Sequence, residues 1–330
     1  MNSSDQRTAT AATYEDRAGD GRTGPPTSYY NQPVIKEPVW TWEIPCYFFT
    51  GGLAGASAGL AYLAELRANE LLARRAWTIS FAAVSASPVL LIMDLGQPMR
   101  FLNMLRMFKI TSPMSVGSWL LSVSAAATTA ATLHALTGRL PRSSRAARPM
   151  AALLGLPLST YTAALVANTA VPVWHEARRE LPFLFAAGAA ASAGAGAAMA
   201  TSPAHAALAR RLALAGAGGE LAAMEWMQRS LGDIGAPYHE DEAERFARLA
   251  RGLTAAGAGV LLLAGRRWRG GAATGGALIM GGALAGRFSV FRAGFQSARD
   301  PQQVNRPQRE RIRSGASRGA AIRHQPSGAN

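Results

Sequence analysis

Charge and cysteine are both scarce in this chain of 330 residues. Only 16% of the residues are Asp, Glu, Lys or Arg, against about 25% in an average soluble domain. The single cysteine, Cys46, excludes an intrachain disulfide. One cysteine also cannot hold an iron–sulfur cluster or a structural zinc ion. The sequence therefore predicts that this chain carries no metal cluster.

Lysine is almost absent, although the formal net charge is +14. Lys36 and Lys109 are the only lysines, so 32 of the 34 basic residues are arginine. In a soluble protein such a charge would indicate nucleic acid as a partner. However, no zinc-finger spacing, recognition-helix pattern or basic stripe with interleaved aromatic residues accompanies it. We therefore predict no nucleic-acid partner and attribute the arginine excess to the coding bias of a GC-rich genome.

Long uncharged runs are what the sequence has instead. Residues 44–64 contain no charged side chain, and about 20 apolar residues are enough to cross a hydrocarbon core of about 30 Å. Because lipid leaves exposed backbone groups without partners, such runs must be helices. Four further uncharged runs follow, 76–93, 115–136, 149–174 and 181–201, and then three weaker candidate spans that contain charged residues, 206–227, 249–264 and 271–287. The prediction is an all-α integral membrane protein with about eight transmembrane helices.

The runs also predict an organisation of the chain. Residues 1–39 form a polar extramembrane tail, 40–174 a first four-helix bundle, 175–289 a second helical half and 290–330 a basic tail. Helices in lipid associate through small residues, and Gly55 with Gly59 and Gly271 with Gly275 form G-x-x-x-G pairs. No phosphate-binding glycine motif accompanies these glycines, so we interpret them as helix-packing residues.

If the helices alternate in direction, unusual residues gather at one membrane face. The members of this group are Trp40, Trp42, Glu43, Tyr47, Asp94, Ser112, Pro113, Ser115, Trp119, Tyr161, Asn168 and Trp174. Trp and Tyr are common at any membrane interface. Asp94 differs, because an ionisable group at the edge of the hydrocarbon indicates a functional site. Its structural alternatives are a helix N-cap or an ion pair with Arg100 or Arg106.

Two further sets of residues bear on the chemistry. Glu220 lies inside the sixth candidate span, 206–227, and is a proton-relay candidate, the alternative being a buried ion pair with Arg210 or Arg211. The five histidines, His134, His175, His205, His239 and His324, lie at helix ends, turns, loops and the tail. Haem ligation in a bundle needs histidines that face one another at similar depth. We therefore predict no haem.

Several stretches resemble the NrfD family, which includes the membrane subunit of polysulfide reductase. They are V-W-T-W-E-I-P-C-Y-F-F-T-G-G-L-A-G at 39–55, D-L-G-Q-P-M-R-F-L-N-M-L-R-M-F-K at 94–109, T-S-P-M-S-V-G-S-W at 111–119 and Y-T-A-A-L-V-A-N-T-A-V-P-V-W at 161–174. The resemblance covers about residues 40 to 300 and is strongest in the first half. It implies a multi-pass subunit in the cytoplasmic membrane of a bacterium.

The resemblance also implies a cofactor and partners. Family members without haem bind a quinone, menaquinone or ubiquinone, near one face. They exchange electrons with a ferredoxin-like iron–sulfur subunit, usually beside a molybdopterin-type catalytic subunit. The positions that match the family's motifs imply that Tyr47, Asp94 and Tyr161 form the quinone site. Some members have histidine in place of Tyr47, which leaves Asp94 or Glu43 as the proton acceptor here.

These two lines of reasoning give one set of candidate residues. The candidate catalytic residues are Asp94, Glu43 and Tyr161, and the candidate quinone-binding residues are Tyr47, Trp42, Trp119, Asn168 and Arg100. The chain alone is expected to be non-catalytic. Two rival functions stay open: a proton-coupled secondary transporter that uses Glu220 or Asp94, and a passive membrane anchor for a partner complex.

Overall fold

The computed structural model describes residues 35–97 and 99–300, and every regular element in that part is a helix. The α-helices are α1 Glu43–Leu66, α2 Glu70–Asp94, α3 Arg100–Arg106, α4 Pro113–Thr137, α5 Pro141–Ala167, α6 Pro172–Glu176, α7 Leu181–Ala200, α8 Ala207–Leu231, α9 Asp241–Leu263 and α10 Arg269–Arg299. Short 3-10 helices, Ala177–Arg179 and Gly232–His239, follow α6 and α8. Most of both predicted tails lies outside the described residues.

Five of the helices, α2, α4, α5, α7 and α9, are long and apolar enough to cross a membrane. The helices α1, α8 and α10 have 24, 25 and 31 residues, so they also reach the length of a span. The all-helical fold and a set of apolar membrane helices are confirmed for the described residues. The number of eight spans stays a prediction, because α1, α8 and α10 lack the composition of the other five.

The fourth predicted span differs from the helix that is present. Helix α5 ends at Ala167, Asn168 is its C-cap, and Pro172 begins the separate short helix α6. The residue before a proline favours an extended backbone, and Val171 is extended, so Pro172 begins a new helix. Trp174 therefore lies on α6, and the prediction of one helix through 149–174 is wrong.

The last two helices are longer than predicted. Helix α9 begins at Asp241, eight residues before the predicted span 249–264, and its first turn holds Asp241, Glu242 and Glu244. Carboxylates are favourable at a helix N-terminus because they face its positive dipole end. Helix α10 continues past Arg287 to Arg299. Arg287 was taken as the end of the apolar run, but its side chain is buried and the helix continues beyond it.

The helices pack in two groups of four. In the first group α1 contacts α2 and α5, while α4 contacts α2 and α5. In the second group α7 contacts α8 and α10, and α9 contacts α8 and α10. Helices α1 and α7 pack against each other and join the groups. The start of α1 and the end of α2 consequently lie together, as the alternation of helix direction requires.

Close backbone contact between small residues holds neighbouring helices. A Cβ atom built on Gly55 would lie 2.3 Å from the carbonyl oxygen of Gly155, and one built on Gly155 would lie 2.3 Å from that of Gly55. Gly275 has the same relation to Gly257 and Leu261 across α9 and α10. The interpretation of these glycines as helix-packing residues is confirmed for Gly55 and Gly275. Gly59 is different, because nothing lies within 4 Å of its Cβ position.

This contrast gives a matched pair of substitutions on one helix. We expect Gly55→Ala to lower the free energy of unfolding by about 1 to 3 kcal/mol, because the added methyl group pushes α1 away from α5. Gly59→Ala adds the same group to open space and is expected to leave stability unchanged or raise it by up to about 1 kcal/mol. Thermal unfolding in detergent, followed by circular dichroism, measures both. Equal effects would contradict the close-packing account.

Candidate functional site

Two carboxylates meet at one end of the first helix group. Glu43 is the first residue of α1 and Asp94 the last of α2. The backbone N–H and the hydroxyl of Thr41 both lie 3.2 Å from Oδ1 of Asp94, and the same hydroxyl also contacts Oε2 of Glu43. One hydroxyl has one proton, so it can donate to only one carboxylate at a time. Thr41 therefore links the two groups, and sequence reasoning had missed it.

The structural alternatives for Asp94 do not hold. Asp94 ends a helix, so it is no N-cap. Its side chain accepts hydrogen bonds from Thr41, and among the described residues it forms no ion pair with Arg100 or Arg106. Asp94 and Glu43 are both partly exposed. The pair is thus an accessible acidic site at the end of the bundle.

A pair of tyrosines lies one helical turn deeper. The Tyr47 hydroxyl donates to the Tyr161 hydroxyl at 3.2 Å, and Tyr47 is only 1% exposed. Glu43 and Tyr47 are four residues apart on α1, so they share one helix face. The two hydroxyls join α1 to α5 and are the deepest of the predicted site residues in the first bundle.

Gly117 on α4 makes room for the second tyrosine. A Cβ atom at Gly117 would lie 2.2 Å from the ring of Tyr161. The ring therefore rests directly on the α4 backbone, which fixes its position between α4 and α5. The V-G-S-W stretch was part of the resemblance, but no reasoning from the sequence had singled out this glycine as the seat of an aromatic ring.

The other four predicted site residues lie at the surface. Trp42 is 53% exposed, Trp119 is 37% exposed and packs edge-on to Phe108, and Asn168 and Arg100 are exposed. In the described part of the chain none of the four hydrogen-bonds to the carboxylates or the tyrosines. The structure places Glu43 beside Asp94, and it places Tyr47 beside Tyr161. Roles for the four exposed residues stay predictions.

Trp174 has a packing role and does not line a slot beside the tyrosines. It is fully buried, stacks on Trp40 with ring centroids 5.8 Å apart, and donates from its indole nitrogen to the Val290 carbonyl at 2.7 Å. This contact attaches the segment before α1 to α10. Nearby in the chain, Glu37 accepts a hydrogen bond from Nε of Arg299 at 2.9 Å and raises the pKa of that guanidinium.

Glu220 lies in a different place, inside the second helix group. Its side chain is 4% exposed, and Arg287 on α10 is 3% exposed. Both charges converge on Gly188 of α7: a Cβ atom there would lie 2.5 Å from Oε1 of Glu220 and 3.1 Å from a terminal nitrogen of Arg287. That arginine also donates to the Phe185 carbonyl at 2.8 Å and lies over the Phe185 ring.

The expected partner of Glu220 was therefore wrong. Arg210 and Arg211 precede Glu220 by nine or ten residues on α8, a rise of about 15 Å, so neither can reach it. Arg287 supplies a nearby opposite charge instead, although the two side chains are not in ion-pair contact. Oε2 of Glu220 and Nε of Arg287 have no hydrogen-bond partner among the described residues. The pair is a buried charge site that joins α8 and α10 next to α7.

Comparison with known families agrees with this arrangement. The family model for NrfD, polysulphide reductase, matches residues 31–211. The chain belongs to the NrfD family. The match includes the carboxylate and tyrosine pairs in the first helix group and ends before Glu220. Comparison with curated proteins finds no match. As a member of the NrfD family, with several apolar helices, the chain is a multi-pass membrane protein.

The NrfD family consists of membrane subunits of oxidoreductase complexes, which typically associate with iron–sulfur and catalytic subunits. The chain therefore belongs to a class of proteins that work in an assembly. This coarse function agrees with the position of the carboxylate pair at an accessible end of the bundle, where a partner can approach.

The buried charge pair gives a prediction about stability. Arg287→Met removes the opposite charge beside the buried Glu220, so we expect a loss of about 1 to 3 kcal/mol in unfolding free energy. Adding Glu220→Gln to this variant removes the unpaired charge and should restore part of the loss. The control is Arg229→Met, whose partner Glu225 is exposed, and it should cost about 1 kcal/mol or less. Thermal unfolding in detergent measures all three, and equal losses in Arg287→Met and Arg229→Met would contradict the coupling.

Proposed function

We propose that this NrfD-family chain is the quinone-binding subunit of an oxidoreductase complex in the cytoplasmic membrane of a bacterium. One observation carries the proposal: the buried Tyr47–Tyr161 hydroxyl pair lies one turn below the linked carboxylates Glu43 and Asp94. A quinone supplies two-electron chemistry coupled to two protons. A site for it needs hydrogen-bond donors for ring oxygens and a base connected to water.

The tyrosines supply the donors. Each hydroxyl can both donate and accept, so the Tyr47–Tyr161 bond can be exchanged for bonds to a ring oxygen without a buried polar group losing its partner. The ring of Tyr161 is held against Gly117, so its hydroxyl is oriented by the contact of α5 with α4. Removal of the Tyr161 hydroxyl alone would therefore weaken binding without displacing the ring.

The carboxylates supply the base. Protons released beside Tyr47 and Tyr161 would reach Glu43, which lies one turn away on α1. The Thr41 hydroxyl connects Glu43 with Asp94. Partial exposure of both carboxylates supports a final transfer to water. Glu43 and Asp94 thus act as one acidic pair that shares the Thr41 hydroxyl.

An apolar groove along the same helices supports a ligand with a long hydrocarbon tail. The groove has a volume of about 610 Å³ and lies between α1, α5, α7 and α8. Gly59, Leu156 and Leu212 are among the residues that line it, and its few polar groups are hydroxyls such as that of Thr160. Thr160 directly precedes Tyr161 on α5. Such a surface suits an isoprenoid chain that enters from the lipid.

The electrons require another subunit. With one cysteine, the chain lacks the ligands for an iron–sulfur cluster. We therefore propose that a ferredoxin-like iron–sulfur subunit docks over Asp94, at the end where the carboxylates are accessible, and that a molybdopterin-type catalytic subunit completes the complex. The typical partners of the family support this assignment.

Two substitutions test the site in the purified complex. Tyr161→Phe keeps the ring on Gly117 but removes the hydroxyl, and Asp94→Asn keeps an acceptor for Thr41 but cannot take up a proton. We expect quinol turnover to fall by roughly a hundredfold or more, the usual effect of losing a positioned acid–base group. Quinol oxidation with an artificial electron acceptor measures this. Tyr62→Phe, on the same helix as Tyr47, is the control and should keep full activity.

The rival functions give different results. If a complex that retains its iron–sulfur subunit shows unchanged turnover in both variants, the proton role is wrong and a passive anchor is favoured. The buried Glu220–Arg287 pair is the observation that favours a proton-coupled transporter. In that case the chain would purify without an iron–sulfur companion, and Glu220→Gln would abolish proton uptake into liposomes while Tyr161→Phe would not.

A further inference from the structure

A cleft at the opposite end of the molecule gathers arginines without acids. It has a volume of about 660 Å³ and lies between the start of α8 and the end of α9. Its lining residues are Pro203, Ala204, Ala207, Arg210, Arg211, Leu214, Leu261, Leu262 and Arg266. We call it the arginine cleft. Three of these nine residues are cations.

Its position in the fold is fixed by Asn69. This residue follows the end of α1, and its side chain donates to the His205 carbonyl in the turn before α8 at 2.8 Å. The turn therefore lies at the end of α1 remote from Glu43. The arginine cleft is thus far from the carboxylate and tyrosine pairs and belongs to the opposite membrane face.

Within the described residues, no ion pair gives these three guanidinium groups a counter-charge. Six ion pairs link described residues, and none of them includes Arg210, Arg211 or Arg266. Arg210 is anchored by one hydrogen bond, from a terminal nitrogen to the Pro203 carbonyl at 2.7 Å. Arg266 and Arg210 line the same cleft, so their positive charges lie on the same side of the protein. Like charges held together in this way are stabilised by a bound anion.

Apolar side chains at the same end place the cleft at the surface of the bilayer. Leu261, Leu262 and Leu214 form its apolar wall. Leu263 is 78% exposed and Trp268 is 66% exposed. Exposed leucines such as Leu262 and Leu263 fit the hydrocarbon, and tryptophan concentrates at the interface between hydrocarbon and headgroups. The cleft therefore combines positive charges with an apolar wall, which matches a ligand that has an anionic headgroup and an apolar chain.

We propose that the arginine cleft binds the phosphodiester headgroup of an anionic phospholipid, with an acyl chain against the leucines. The planar fork of a guanidinium pairs with two phosphate oxygens at once, so arginine suits this ligand better than lysine. Basic pockets between membrane helices are a known way to hold such headgroups. The apolar wall distinguishes a lipid from free phosphate, which would use the arginines alone.

Lipid-dependent stability of the purified chain tests the proposal. After delipidation in detergent, phosphatidylglycerol or cardiolipin should raise the unfolding temperature, whereas phosphatidylcholine with the same acyl chains should not. The triple variant R210Q/R211Q/R266Q should bind the anionic lipid roughly a hundredfold more weakly, since each basic residue near an anionic surface contributes about fivefold. The matched control is R139Q/R142Q/R145Q, which removes three exposed arginines outside the cleft and should keep the full response.

Native mass spectrometry gives a second readout that does not depend on unfolding. The wild-type chain and the control should retain an anionic lipid that the triple variant loses, and the single variant R211Q serves if the triple variant fails to fold. Equal stabilisation by inorganic phosphate would overturn the lipid assignment. An unchanged lipid response in the cleft variants would also overturn it, and loss of a partner subunit without any change in lipid binding would assign the cleft to an acidic protein surface.

Discussion

The hydrocarbon core of the membrane offers backbone groups no hydrogen-bond partner, and the rest of this structure follows from that constraint. Helices satisfy the backbone internally, but they cannot gain free energy by hiding leucine from lipid. Association therefore depends on how closely two backbones approach. The contact of Gly55 with Gly155 brings α1 onto α5, and this contact sets the distance at which Tyr47 meets Tyr161. Small residues thus position the polar ones.

Polar side chains inside such a bundle have to find one another. Tyr47 hydrogen-bonds to Tyr161, and Glu220 lies near Arg287. In each case the two residues belong to helices that are distant in sequence. The difference between the sites is access. The tyrosines lie below carboxylates that reach the membrane surface, whereas the Glu220–Arg287 pair is enclosed by α7, α8 and α10. The first arrangement suits exchange with water, and the second suits a charge that stays in place.

Much of the fold could be predicted from the sequence, because length and missing charge define a membrane helix directly. The absence of charge failed as a criterion where a charged side chain is buried inside the bundle. Arg287 was taken as the end of a span, since hydropathy cannot show that a guanidinium lies over Phe185. Pro172 broke a run that hydropathy counts as continuous. The predicted span 249–264 missed the start of α9, because hydropathy does not count the acidic residues of its first turn as part of a helix.

The sequence predicted which residues belong to the candidate site, but it did not predict which of them contact one another. Helix direction alone indicated that Glu43 and Asp94 share a face. The contacts within the site depend on residues whose type does not indicate a function in the sequence. Thr41 joins the carboxylates through an ordinary hydroxyl, and Gly117 seats Tyr161 only by having no side chain. Trp174 shows the reverse case, because a residue with a strong interfacial signature proved to be part of the core.

The length of α10 has a consequence for anything that approaches the Asp94 face. Its 31 residues extend for about 46 Å, whereas the hydrocarbon core measures about 30 Å. Even a tilt of about 40° would leave this helix longer than the core is thick. If α10 crosses the membrane, the exposed ion pair of Arg299 with Glu37 at its last turn places that turn outside the hydrocarbon, at the Asp94 face. A protein that settles over the carboxylates meets a raised border on one side, and that border limits the orientations in which it can dock.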